Sequence, residues 1–297
     1  MPNPKSPGWY GAGLADIVHP GANMGTVYYI DGTGPDTNTG LAPDDPLASF
    51  SAALALCVND HNDTIIVLDY WNAATEAAWP IAVNKSMVHI IGVMGQGAIW
   101  PQVNPTGDFA AFNVTAAHVE IANLGIIGGA THGAIEIGAA IWGTEIHHCS
   151  MGEVGGAQDG IRVVAPFDAA YLKVWACRFG ALLTRSGVRI DHNATRGMIG
   201  VPGVECNRFY GLAGPAIHAT IDFAEGGIYD NRIKMGADTQ GLAITLDNVV
   251  VGGVHVDGNS ANFGDTVCIN NPYLDSAVAA SNHWGLNYWG SAPTMPA

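Results

Sequence analysis

Residues 132–137 read HGAIEI, and the same small or turn residue followed by an apolar, polar, apolar triplet recurs at 159–164 (DGIRVV), 186–191 (SGVRID), 215–220 (PAIHAT), 241–246 (GLAITL) and 265–270 (DTVCIN). Their leading apolar residues are Ile135, Ile161, Val188, Ile217, Leu242 and Val267, at intervals of 26, 27, 29, 25 and 25 residues. A second ladder lies between them: NLGI, CSM, CRF, NRF and NRI end at Ile126, Met151, Phe179, Phe209 and Ile233, spaced by 25, 28, 30 and 24. Both sets are short, β-branched or aromatic, and bounded by Gly, Asn, Asp and Pro, which marks strands and not helices. A period of this size with two or three short strands per repeat leaves an all-β parallel solenoid, each coil stacking on the last at about 4.8 Å. A propeller blade needs about 40 to 45 residues, and leucine-rich repeats carry a Leu and Asn spacing that this chain lacks.

The composition fits. With 297 residues, 48% of them apolar, and a mean hydropathy of +0.18, the chain has ample material for a core, which excludes disorder. Charged residues make up only 12%, about half the usual quarter, so much of the surface is uncharged and association into a homo-oligomer is expected. Eleven basic against 26 acidic residues give a net charge of −15, which opposes phosphate backbones and anionic lipid; no nucleic-acid partner is expected. No stretch reaches the eighteen or so apolar residues of a membrane span, so no membrane insertion is expected, and Met1–Ala12 lacks the apolar core of a leader. The five cysteines, Cys57, Cys149, Cys177, Cys206 and Cys268, contain no C-x-x-C pair and read as reduced core residues.

An open solenoid exposes unpaired edges, so its ends need covers. At the front, Phe50, Ala53, Leu54, Cys57 and Val58 fall at helical spacing, which predicts a capping helix over about 47–58. At the back, Trp284 and Trp289 in 282–290 supply an aromatic cap. Residues 1–26, rich in Gly and Pro and carrying Trp9 and Tyr10 as candidate anchoring residues, read as an extended N-terminal arm; 27–293 form the solenoid.

The segments VYYIDGTGPDTNTGLAPDDPLASFSAALALC (27–57), DTIIVLDYW (63–71) and VNKSMVHIIG (83–92), with the closing NYWGS (287–291), resemble right-handed parallel β-helix proteins of the pectin-lyase-like superfamily. That resemblance implies a right-handed solenoid. The superfamily holds lyases, hydrolases, epimerases, adhesins and phage virion proteins, so fold alone leaves function open. The Gly/Pro-rich arm and the start of the solenoid at VYYIDG are similar to phage structural proteins.

In each coil the residue after the leading apolar one points outward, which gives the column Glu136, Arg162, Arg189, His218, Ala243 and Cys268. The first four are the candidate ligand-binding residues. The competing reading is that nearby acids such as Asp159 and Asp191 satisfy the arginines. No catalytic set is complete: Arg232-Ile233-Lys234 matches the RIK tripeptide of polygalacturonases, but that family's other elements do not precede it, and paired carboxylates suited to glycoside hydrolysis are not evident. Asp31, Asp36 and Asn38 offer oxygens to a hard cation, though a turn-rich Asx segment explains them better. His147 and His148 are expected on opposite strand faces, and hence unable to share a metal. Cys149, Cys177, Asn207 and Asn231 each sit two residues before a core residue, which predicts an inward stack.

The resulting expectation is a non-enzymatic virion protein of a phage, a capsid decoration or a tail-associated chain. It is made in the host cytoplasm, needs no cofactor or metal, assembles as a trimer with other virion proteins, and binds a polysaccharide or host surface. The alternative is a polysaccharide lyase or glycoside hydrolase.

Overall fold

One repeat is one coil of three strands, as in Glu145–His147, Ser150–Met151 and Ala157–Val163, followed by Lys173–Trp175, Arg178–Phe179 and Leu183–Ile190. The structure, a computed structural model, describes residues 25–68, 76–93, 100–153, 155–203, 205–220, 223–235, 243–247, 253–263, 273–275, 282–289 and 292–294. Equivalent strands of successive coils pair in parallel into three sheets of ten, eight and nine strands. In the order in which a coil enters them, these are the first sheet (ten), the third (nine) and the second (eight). The only antiparallel pairing among the described residues joins Asn287–Trp289 to Ala292–Thr294.

Both ladders seen in the sequence hold through most of their length. Ile135, Ile161, Val188 and Ile217 are in register in the second sheet, and Ile126, Met151, Phe179, Phe209 and Ile233 in the third; all are buried. The second-sheet ladder then departs from expectation. Ile244, not Leu242, aligns with Ile217, and Tyr273, not Val267, follows it. In GLAITL two overlapping triplets compete, and the one centred on Thr245 is used: Thr245 is in register with His218, although it is buried, as Ala243 is. Cys268 and Val267 lie outside the described residues.

The first sheet supplies a third apolar column that neither ladder contains: Ile65, Ile90, Ile121, Ile146, Val174, Ile199, Ile228 and Val256, one above another and all buried. β-Branched residues suit such a pleated, crowded surface. Where the third-sheet column becomes aromatic, Phe179 and Phe209 stack with centroids 4.5 Å apart and planes 6° from parallel. A Cβ at Gly160 or Gly187 would come within 2.5 Å of these rings, which is why the second-sheet strands read D-G-I and S-G-V.

At the tight bend between the first and third sheets the polar stack forms as predicted and runs further. Cys149 and Cys177 are followed by Asn207, Asn231, Asn259 and Asn287, all buried. The Asn207 amide donates to Asn231 Oδ1 at 3.0 Å, Asn231 to Asn259 at 2.8 Å and Asn259 to Asn287 at 2.9 Å. Each amide also donates to a strand carbonyl, of Val174, Ile199, Ile228 or Val256. A buried amide is costly unless its bonds are made, and here they are.

A helix spans Phe50–Leu56, with the Ser49 hydroxyl accepting from Ala52 N and with Phe50, Ala53 and Leu54 buried. Phe50 meets Phe112 edge-on at 5.3 Å. The Glu76 carboxylate accepts from Phe50 N at 2.5 Å and from Ser51 N at 3.3 Å. The arm, including Trp9 and Tyr10, lies outside the described residues apart from 25–26.

Asn231→Ala is expected to lower stability by about 2 to 4 kcal/mol, because it strips the Ile199 carbonyl of its donor and Asn207 of its acceptor. Asn231→Cys, copying Cys149 and Cys177, should cost less. Urea unfolding of the two variants checks the order. Phe179→Asp, which buries a charge inside the aromatic stack, should not fold.

Candidate functional site

The expected outward column forms in the second sheet: Glu136 pairs with Arg162, Arg162 with Arg189 and Arg189 with His218. Thr245 takes the next position, where Ala243 was expected. Two arginines on neighbouring strands repel unless a carboxylate intervenes, and Asp191 does so: its oxygens lie 2.7 Å from Arg162 Nε and 2.6 Å from Arg189 Nε. Glu136 is more distant, 3.9 Å from Arg162. Arg189 donates to His218 Nδ1 at 2.7 Å, and His218 Nε2 lies 2.7 Å from Asp247. Those partners fit a neutral imidazole with its proton on Nε2. Just inside the column, the fully buried Asp159 is gripped by Arg185 through both oxygens; burial nevertheless outweighs that contact and pushes its carboxyl up. The column is thus a network in which cations and carboxylates satisfy one another.

The first sheet carries a second polar network on its outer face. Glu120 accepts from His89 at 2.5 Å and from His147 at 2.7 Å. Burial opposes ionisation of Glu120, but these two hydrogen bonds prevail and bring its carboxyl down to about 2. His147 stacks on Trp175, centroids 4.5 Å apart. Its Nδ1 lies 2.9 Å from that of His148, so the two rings meet where strand alternation predicted opposite faces. His148 has left the strand: it occupies the bend with φ of +53°, which swings its ring to the same side. Its Nε2 then reaches Glu205 at 3.3 Å, and burial first, then the charge of His147, pushes the His148 pKa down. No group of three His, Cys, Asp or Glu positioned to hold a metal ion occurs among the described residues.

The front loop is tied up internally. Asp36 accepts from Ala48 N, Ser49 N and Ser49 Oγ, Asp31 from Thr33, and Asn38 donates to Pro46 O. Only the Asp31–Thr33 contact is an Asx turn; the longer-range bonds of Asp36 brace the helix start.

A concavity lies on the third sheet. It is a half-open groove of about 760 Å³, close to Glu205 and the bend, and into it project Arg178, Arg208 and Arg232 from three successive coils. Sequence reading weighed Arg232 only within the RIK tripeptide and passed over Arg178 and Arg208. The signal was present in C-R-F, N-R-F and N-R-I, where each arginine precedes a ladder residue, but attention to the buried Phe179, Phe209 and Ile233 made the arginines seem mere flanks.

No family model matches this chain, and no match emerges among curated proteins or solved structures.

Because the Glu120 carboxyl is depressed from an ordinary 4.5 to about 2, its contribution is present above pH 4.5 and is lost as pH falls through 2. That shift corresponds to at most roughly 3 kcal/mol. In urea unfolding between pH 6 and 2, the parent should lose its advantage over Glu120→Gln within that window; a constant difference would contradict the assignment.

Proposed function

We propose that this chain is a structural, binding solenoid and not an enzyme, displayed on a phage virion as a capsid decoration or tail-associated protein. The observation that carries the non-catalytic part is the state of the carboxylates on the most charged face. Asp191 is held between two arginines, Asp159 is buried against Arg185, and Asp247 is engaged by His218. Acid–base hydrolysis needs one carboxyl free to donate a proton and another free to attack or to activate water; carboxylates acting as counter-ions to fixed guanidinium groups are poorly disposed to either.

The virion placement draws on the resemblance of the opening and closing segments, on the low share of charged residues, and on a stacked-sheet rod that presents long flat faces. In this reading the helix Phe50–Leu56 and the aromatic segment 282–290 close the two ends, and the arm 1–26 attaches the rod to the particle through Trp9 and Tyr10. The flat uncharged faces pack side by side about an axis as a trimer.

Incubation with pectin, alginate, hyaluronan and bacterial capsule should give neither unsaturated product absorbance nor new reducing ends. Turnover that disappears in Arg162→Ala or Arg189→Ala would replace this reading with a lyase. Light scattering on the eluted protein should give three times the 30.9 kDa chain mass, and a monomer at micromolar concentration would remove the trimer. Antibody labelling of purified particles tests the virion placement directly.

A further inference from the structure

The groove on the third sheet holds charge that nothing above uses. Ser150, Arg178, Arg208, Arg232 and Ser260 occupy one outward position on five successive coils. The chain has only 11 basic residues, and four of them, Arg162, Arg185, Arg189 and Arg196, are paired with carboxylates. Arg178, Arg208 and Arg232 are exposed and have no ion pair among the described residues. Like charges facing each other on adjacent strands destabilise a sheet, and here three do so in a protein with acids to spare. The two acids of the groove bond to its own lining and not to the arginines: Glu205 to His148 at 3.3 Å, Asp230 to the Gly203 N–H at 3.0 Å. At one end Arg178 is set over the Trp100 ring, 5.1 Å from its centroid, an arrangement that orients a guanidinium without neutralising it.

The extent of this ridge limits its ligand. Three arginines cover two coil steps, about 10 Å, and the run is bounded by Ser150, which is buried and donates to Glu153, and by Ser260 at the rim of the groove. The groove volume of about 760 Å³ falls in the range of roughly 300 to 1,000 Å³ for small-molecule sites. We propose that the groove is a binding site for a small linear polyoxyanion, a molecule whose two or three carboxylate or phosphate groups together span about one to two coil steps. Each guanidinium offers a planar fork of donors that fits either group, and the bound anions remove the repulsion between the arginines. The site is independent of the virion reading.

Calorimetric titration of the full chain with tripolyphosphate and, separately, with propane-1,2,3-tricarboxylate tests it, the two arms telling phosphate from carboxylate. One molecule per chain should bind in at least one arm, more weakly as salt rises, and should raise the melting temperature. Arg208→Ser places in the middle of the column the residue that already stands at positions 150 and 260. It should weaken binding at least about tenfold while melting no lower than the parent without ligand. Arg196→Ala, on an exposed pair outside the groove, should bind like the parent. Absence of binding in both arms at millimolar concentration would overturn the site, as would binding undiminished by Arg208→Ser or equally lost in Arg196→Ala. Capture of duplex DNA with neither small anion bound would also overturn it, in favour of a polymer surface.

Discussion

Everything in this molecule follows from parallel strands stacking in register at one coil per repeat. That single constraint makes each side chain the neighbour of its equivalents above and below, so chemistry is selected by column. Apolar columns make the core, an amide column makes the bend, and charged columns on the outside must either alternate in sign or find a counter-ion. The two outer arginine columns answer that demand differently. In the second sheet Asp191 is inserted between Arg162 and Arg189, whereas in the third sheet Arg178, Arg208 and Arg232 form no ion pair among the described residues, although Glu205 and Asp230 line the same groove.

Column logic also explains which parts of the fold were legible in the sequence. Phe179, Phe209 and Ile233 announced themselves because each is bulky and each follows the same short motif. The first-sheet column, Ile65 through Val256, did not, because in most coils only two bend residues separate its strands from the third-sheet strands, and the two merge in the sequence. The slip at Leu242 has a related cause: GLAITL satisfies the pattern in two frames, and only the neighbouring coil decides between them. Asn259 and Asn287 stood in the same relation to Ala261 and Trp289 as Asn231 to Ile233, and were readable by extending the count.

The candidate site was readable in part. Register alone gave the Glu136, Arg162, Arg189 and His218 alignment, but which acids reach it depends on turns, and Asp191 and Asp247 are placed by turn geometry that alternation does not encode. His147 and His148 make the same point, since a positive φ at His148 overturns the two-face rule for adjacent residues. The arginine groove needed a further step, the recognition that a polar residue repeated beside a core ladder is itself a ladder.

The amide stack has a polarity. Asn207, Asn231 and Asn259 each send one side-chain N–H to the asparagine of the coil that follows and the other back to a carbonyl of the coil before, and backbone N–H groups also point forward, Cys177 to Asn207 and Asn231 to Asn259. A partly assembled rod therefore ends in unfilled donors, and the next stretch of chain brings the acceptor that fills them. Asn287 repeats the backward bonds of Asn259: its amide donates to the carbonyls of Val256 and Gly285 as that of Asn259 donates to Ile228 and Asp257, so one local geometry recurs at each bend.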